Sequence, residues 1–452
     1  MNVVLISTYE LGRQPFGLAS PAAWLRRVGA RVTCLDLAKQ ELREEPIRSA
    51  DLVAFYLPMH TATRIAARAI PKVRRLNPRA HLCGYGLYAP VNEGYLRGLG
   101  VQTLLGGEFE EGLVQLAGRL EQGHSQGPQP EPLISLAREQ FLVPDRSDLV
   151  PLARYARLRV NGESRTVGYT EASRGCKHLC RHCPIVPVYN GVFRIVQPDV
   201  VLEDIRRQVA AGAEHITFGD PDFFNGIGHA LPLIEALHRQ HPRLTYDVTI
   251  KIEHLLKHSE RLSALRDTGC LFVTSAVECV DDRILARLDK GHTREDFIRV
   301  VRRFREIGLT LAPTFVPFTP WTSLEGYLDL LATLAGLDLI ENVAPIQLAI
   351  RLLIPAGSRL LELPEVQALV GPFDDAALSY RWQHPDPRVD ELRREVQDEV
   401  KRGEARGETR RQIFARLWEL AHQAADRPSR QLPDTALLAR AAIPYLTEPW
   451  YC

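Results

Sequence analysis

Residues 174–184, RGCKHLCRHCP, hold three thiols in the spacing C-x3-C-x2-C, at Cys176, Cys180 and Cys183. Thiolates are soft ligands suited to zinc and to iron–sulfur clusters, so a run this dense is a candidate metal centre. A structural zinc site takes four ligands, commonly as two paired knuckles, and the chain has no second cysteine pair. His178 and His182 lie inside the run, but a compact loop does not easily wrap five neighbouring donors around one ion. A disulfide would leave one thiol over. A cubane 4Fe–4S cluster fits better, held by three thiolates with its fourth iron open to a small molecule. An open coordination position makes a metal site reactive rather than structural.

The remaining cysteines, Cys34, Cys83, Cys270, Cys279 and Cys452, are scattered without the spacing of a disulfide framework. Buried free cysteines behave as small hydrophobes, which is the expectation for the first four. A lone tight cluster then reads as metal chemistry in a reducing compartment. Lys+Arg 56 against Asp+Glu 55 gives a net charge of +1, so no nucleic-acid partner is expected. The N-terminus, MNVVLIST, carries no basic leader, and no apolar run approaches the roughly 20 residues of a membrane span. The expected location is the cytoplasm, with no membrane partner.

Elements that could position the cysteines follow from the apolar patterning. The length, 452 residues, suggests two or three domains. Residues 3–7, RVTCLDL, 51–57, HLCGYG and VQTLLGG read as buried parallel strands, with helices over 21–28 and 61–76. That alternation predicts a doubly wound, Rossmann-like α/β domain over residues 1–120. The Gly-, Pro- and Gln-rich run 121–132 reads as a linker opening a bridge over 121–165. Over 166–355, TVGYTEA, HITFGD, TYDVTIKI, CLFVTSAVE, TLAPTFV and VAPIQLAIRLL read as six strands. Helical stretches at 200–211, 231–239 and 294–306 lie between them. This predicts a full or partial (β/α)6 barrel, whose reactive groups belong at the C-terminal strand ends. Residues 356–452 form a C-terminal, mostly helical segment. Within it, 390–425 places Val396, Val400, Ile413 and Leu417 at helical spacing, for packing on the barrel.

The cysteine spacing, with the aromatic-type His182 before the last cysteine and a strand before the run, resembles the radical S-adenosylmethionine superfamily. The resemblance implies that the amino and carboxylate groups of S-adenosylmethionine chelate the open iron. One electron then cleaves a sulfur–carbon bond, usually giving a 5′-deoxyadenosyl radical that abstracts hydrogen from substrate. It also implies a flavodoxin- or ferredoxin-type electron donor and a small-molecule or peptide substrate. His182 is one implied cofactor-binding residue. The second barrel strand ends in FGDPDFF, placing Gly219, Asp220 and Asp222 where the family keeps its glycine-rich segment near the methionine amino group. The usual two glycines and glutamate are absent, and the alternative is that these acids cap the next turn. Glu278, ending the fourth strand with Lys290–Gly291 downstream, resembles the cobalamin-associated branch, which implies a cofactor-side position. Lys251 and Arg351 near strand ends are candidates for the cofactor carboxylate, with an ordinary ion pair as the alternative for each.

The first domain resembles the cobalamin-binding domain of that branch, including GGEFEEGL at 106–113, and cobalamin is therefore an implied cofactor. The histidine-ligated loop D-x-H-x-x-G is missing, and His60 and His81 lie in other contexts. The ending IPYLTEPWYC resembles the family named for its CUAEP or CCAEP tail, with cysteine followed by selenocysteine or a second cysteine. That implies a natural chain continuing past Cys452. Two functions follow: methyl transfer, hydrogen abstraction or group transfer by a radical S-adenosylmethionine enzyme, or a non-catalytic iron–sulfur electron carrier or sensor. A carrier needs far fewer residues than this α/β block.

Overall fold

The computed structural model describes residues 1–124, 129–428, 432 and 445–446, so Cys452 and its tail lie outside the described residues. Six parallel strands form the first sheet: β1 (Asn2–Ser7), β2 (Arg31–Asp36), β3 (Leu52–Tyr56), β4 (His81–Tyr85), β5 (Thr103–Gly107) and β6 (Ile134–Ser135). Their order is β2-β1-β3-β4-β5-β6, and β3, β4 and β5 are buried throughout. Helices Phe16–Arg27 and Glu110–Glu121 cover one face and His60–Leu76 the other, as sheets buried on both faces require. The first helix begins at Phe16, ahead of Pro21, the expected start. Pro21 has no N–H for the Gly17 carbonyl, and that carbonyl accepts the Tyr85 hydroxyl at 2.8 Å instead.

The second sheet contains β7 (Arg157–Val160), β8 (Glu163–Thr170), β11 (His215–Phe218), β12 (Thr245–Thr249), β13 (Cys270–Glu278) and β14 (Thr310–Phe315). A separate antiparallel pair, β9 (Ser173–Gly175) with β10 (Phe193–Ile195), brackets the cysteine run. β7 and β8 form a hairpin through Asn161 and Gly162, both at positive φ, the turn type that suits hairpin twist. From β8 through β14 the strands are parallel and make a curled half-barrel. The strand Tyr445–Leu446 adds antiparallel to β7. The sixth strand expected at VAPIQLAIRLL does not form. Pro345–Leu348 is a 3-10 turn, and the segment's ladder contact among the described residues is the single bridge Phe318–Arg351. Pro345 offers no ladder donor, and the Gln347 side chain accepts the Phe315 N–H at 3.2 Å, satisfying the β14 edge. Helices Pro387–Ala405 and Arg410–Ala424 pack Val396, Val400, Ile413 and Leu417 into the same core as Val343 and Leu348. No described helix is long and apolar enough to cross a membrane.

The described ends of the 121–132 run are pinned. Glu131 is buried against Arg119 at 2.8 Å, and the Gln129 amide bonds both the N–H and the carbonyl of Leu104. A stronger tie joins the two sheets. Arg174 in β9 forks onto Glu110 at 2.7 and 2.9 Å, reaches Glu108 at 3.2 Å, and bonds Glu171 at 2.7 Å. The rings of Phe16, Phe109 and Phe141 surround its guanidinium at 5.0–5.6 Å. Glu108 and Glu110 come from the GGEFEEGL run, which therefore holds the lead-in to the cysteines. Burial, opposed by Arg174 and reinforced by Glu110, pushes the Glu108 carboxyl up to about 7.

Replacing Arg174 with Met strands buried carboxylates, so Arg174→Met is expected to cost about 3–5 kcal/mol in urea unfolding. Glu108 titrates higher in the folded chain than its ordinary 4.5. Between those values the folded state binds a proton that the unfolded state releases, so stability falls as pH rises through that window. Glu108→Gln should flatten this decline, read as a smaller drop in Tm from pH 5 to pH 8 than in the unmodified chain.

Candidate functional site

The β9–β10 pair sets the base of the cysteine loop. Gly175 sits at φ +73, where a Cβ would come within 2.3 Å of the Tyr189 ring and 2.5 Å of the Val192 carbonyl. Only glycine lets the chain pass this point into Cys176. Further on, the Cys183 N–H bonds the Cys180 carbonyl at 3.1 Å, and the Arg181 N–H bonds the Leu288 carbonyl at 2.9 Å. These bonds turn the loop and fasten it to the end of the short helix Asp282–Arg287 that follows β13. Cys180 is buried, Cys176 and Cys183 are partly so, and none of the described cysteines forms a disulfide. Burial pushes the Cys183 thiol up to about 12. The buried Lys290 ammonium lies within electrostatic reach of Cys180 and Cys183, a cation placed to offset thiolate charge. Three free thiols in one turn with a cation beside them suit a three-thiolate cluster.

Glu278 ends β13 at φ +69, a conformation costly for a non-glycine residue, where the register against β14 slips. Its carboxylate accepts from Lys290 Nζ at 3.2 Å and faces His182 Nε2 at 3.1 Å. Burial opposes ionisation, but Lys290 and His182 outweigh it and hold the carboxyl at about 2. Glu278 and His182 open onto a cavity of about 1340 Å³. Thr249 and Thr314 line it from the ends of β12 and β14, Thr274 from the middle of β13, Pro58 and His60 from the first domain, and Arg351 from beyond β14. Arg351 lies 3.7 Å over the Trp382 ring and pairs with Asp390 at 2.6 Å, tying the cavity wall to the C-terminal helices.

Gly219, Asp220, Asp222 and Lys251 are not among the residues lining this cavity. Gly219 packs so tightly on Tyr169 that a Cβ would come within 1.9 Å of its hydroxyl. Asp220 accepts the Ala172 N–H at 2.9 Å and the Ser173 hydroxyl at 2.6 Å, fastening the segment between β8 and β9. Asp222 caps a 3-10 turn through the Phe224 N–H at 3.1 Å and turns its other oxygen toward His178 and His254. Lys251 bonds Glu253 at 3.1 Å and His178 at 3.2 Å. These groups gather behind the cysteine loop. The cavity-lining threonines and His254 carried no sequence signal; the threonines show only as polar residues within or at the end of apolar runs. Cys34, Cys83, Cys270 and Cys279 pack into hydrophobic cores. His60 is engaged by the Ala377 carbonyl at 2.6 Å and His81 by the Thr103 hydroxyl at 2.8 Å.

Residues 170–331 match the family model of the radical SAM superfamily. The chain is 23% identical over 188 residues to a tRNA-2-methylthio-N(6)-dimethylallyladenosine synthase of Syntrophomonas wolfei subsp. wolfei, covering 37% of this chain and 38% of that one. It is 24% identical over 170 residues to the hopanoid C-3 methylase of Methylococcus capsulatus, covering 38% and 32%. The chain thus spans well under half the length of these curated relatives. Among solved structures it resembles the cobalamin-dependent S-adenosylmethionine radical enzyme OxsB with aqua-cobalamin bound. The TM-score is 0.70 at 14% identity, over 89% of this chain and 67% of that one. It also resembles the radical S-adenosylmethionine methyltransferase TsrM from Kitasatospora setae, with a TM-score of 0.63 at 18% identity over 84% and 82%. At these identities the likeness is one of fold, and it extends across both sheets. Residues 170–331 of this chain are a radical SAM domain, with its three cysteines in the loop that follows the first parallel strand.

Proposed function

We propose that the chain reductively cleaves S-adenosylmethionine at a 4Fe–4S cluster and drives methyl transfer, hydrogen abstraction or group transfer on a small molecule or peptide. The observation carrying this reading is the loop itself: three unpaired thiols in one turn, whose His182 meets Glu278 at the cavity wall. Cys176, Cys180 and Cys183 would hold the cluster, which when bound supplies one electron and an open iron for the amino and carboxylate groups. Glu278 stays ionised against Lys290, so it offers a fixed acceptor for cofactor hydroxyls, while the cavity-lining threonines supply neutral partners. Arg351 shapes the far wall, and Gly219, Asp220, Asp222 and Lys251 support the loop from behind.

Single-ligand pockets usually span about 300–1,000 Å³, so this cavity has room for S-adenosylmethionine and a second large group. Cobalamin suits that place, contributed to by loops of the first sheet, and would supply a methyl carrier. His60 lines the cavity but lies outside a D-x-H-x-x-G loop, so no histidine ligand to the corrin is proposed. Glu278 is the sole acid lining the cavity among the described residues, against Arg64, Arg351, Arg381, Arg393 and Lys401. Arg351 and Arg381 are already paired with Asp390 and Asp374, and Arg64, Arg393 and Lys401 are the cations that favour a substrate bearing negative charge. A flavodoxin- or ferredoxin-type donor and a cytoplasmic setting complete the proposal.

Reconstituted, dithionite-reduced chain incubated with S-adenosylmethionine should yield 5′-deoxyadenosine, methylthioadenosine or S-adenosylhomocysteine by chromatography. The triple change Cys176→Ala, Cys180→Ala, Cys183→Ala should yield none. Reduced cluster with no cleavage would favour an electron carrier instead, and corrin absorbance after reconstitution tests for cobalamin. Glu278→Gln removes the charge that Lys290 and His182 face, and should lower stability by about 1.5–3 kcal/mol in urea unfolding. It should also slow S-adenosylmethionine cleavage at least tenfold, about 1.4 kcal/mol.

A further inference from the structure

Behind the cysteine loop, three side chains from three separate elements converge. His178 lies between Cys176 and Cys180, Asp222 follows β11, and His254 sits in the helix after β12. Their ligating atoms all lie within 4.8 Å of one another. Asp222 Oδ2 is 2.6 Å from His254 Nδ1 and 3.4 Å from His178 Nε2, yet none of these three atoms makes an aligned hydrogen bond. Asp222 and His254 are only 1% and 2% exposed, so water does not satisfy them. A buried donor or acceptor left unmet costs about 1–3 kcal/mol, and three of them meet at one point.

We propose that His178, Asp222 and His254 bind a divalent transition metal of the zinc or ferrous class, at a site separate from the three thiolates. Two imidazoles and one carboxylate are the donor set such ions prefer over calcium or magnesium. With Nε2 on the ion, His178 carries its proton on Nδ1, where Glu253 Oε2 at 3.5 Å is its outer partner, and the 3.2 Å contact of Lys251 with that nitrogen gives way. Lys251 bonds that same carboxylate at 3.1 Å and keeps it in place. The ion would clip the middle of the cysteine loop to the ends of β11 and β12, fixing the loop independently of the cluster. The inference does not depend on the reaction proposed above, because its readout is metal content.

The test uses the anaerobic holoprotein, whose cluster thiolates are taken by iron, dialysed against Zn²⁺ and analysed by mass spectrometry. One zinc per chain is expected, with affinity at least about tenfold weaker in His254→Asn and in Asp222→Asn. Iron content of the His254→Asn protein, measured in parallel, should stay at four per chain. Should that variant not fold, Co²⁺ titrated into the unmodified holoprotein gives a second readout. Ligand-field bands free of thiolate charge transfer at one equivalent support the site. No zinc or cobalt uptake by the holoprotein, or equal uptake by His254→Asn, overturns it.

Discussion

The architecture depends on one guanidinium. Arg174 stands two residues before the first cysteine of the loop and meets carboxylates from both sides of the junction: Glu108 and Glu110 from the first domain, Glu171 from its own. A lysine ammonium would neutralise charge there but would lack the planar fork that grips Glu110 bidentately while Nε serves Glu171. One cation cannot balance three buried anions, and burial accordingly raises both Glu108 and Glu171. The junction is therefore held by geometry more than by net Coulomb gain. A buried ionic group of this kind adds little stability over an apolar equivalent, but removing one partner is severe. What it does secure is register: the C-terminal ends of the first sheet face those of the half-barrel, and the cavity is the space left between.

How far this was legible in the sequence depended on range. The three cysteines lie within eight residues, so their spacing alone pointed to a cluster, and the β-branched runs announced their own strands. VAPIQLAIRLL has the apolar content of a strand, but Pro345 and the reach of Gln347 to Phe315 decide otherwise, and the second is a tertiary contact. The acids of GGEFEEGL resembled a cofactor-binding turn, while their partner Arg174 lies more than sixty positions away. No local pattern reports such a pairing. Gly219, Asp220 and Asp222 are placed at a strand end as expected, yet which side of the loop they face was set by Tyr169, Ser173 and His254.

Two faces of the cysteine loop thus carry different loads. The rear is crowded with committed groups: Gly175 pressed on Tyr189, Asp220 bonded to Ser173, and the convergence of His178, Asp222 and His254. The front presents His182 against Glu278 at a large cavity. Rigid backing and an open front are what preorganised electrostatics requires, since groups that must not relax during a reaction need their rotamers fixed beforehand.

Glu278 shows what that fixation costs. Its positive φ is unfavourable for a residue with a Cβ, and its burial works against its charge. Glycine would relieve the backbone and a neutral residue the desolvation, so neither local preference explains a glutamate there. The pairing with Lys290 and His182 does, because it keeps an anion at the one place where a barrel strand, the cysteine loop and the cavity meet. Lys290 in turn neighbours Cys180 and Cys183, so the same ammonium is shared between the wall of the cavity and the thiols. A change in charge at either partner is felt by the other through a single buried cation, and the electrostatics of the cysteine loop and of the cavity are one system.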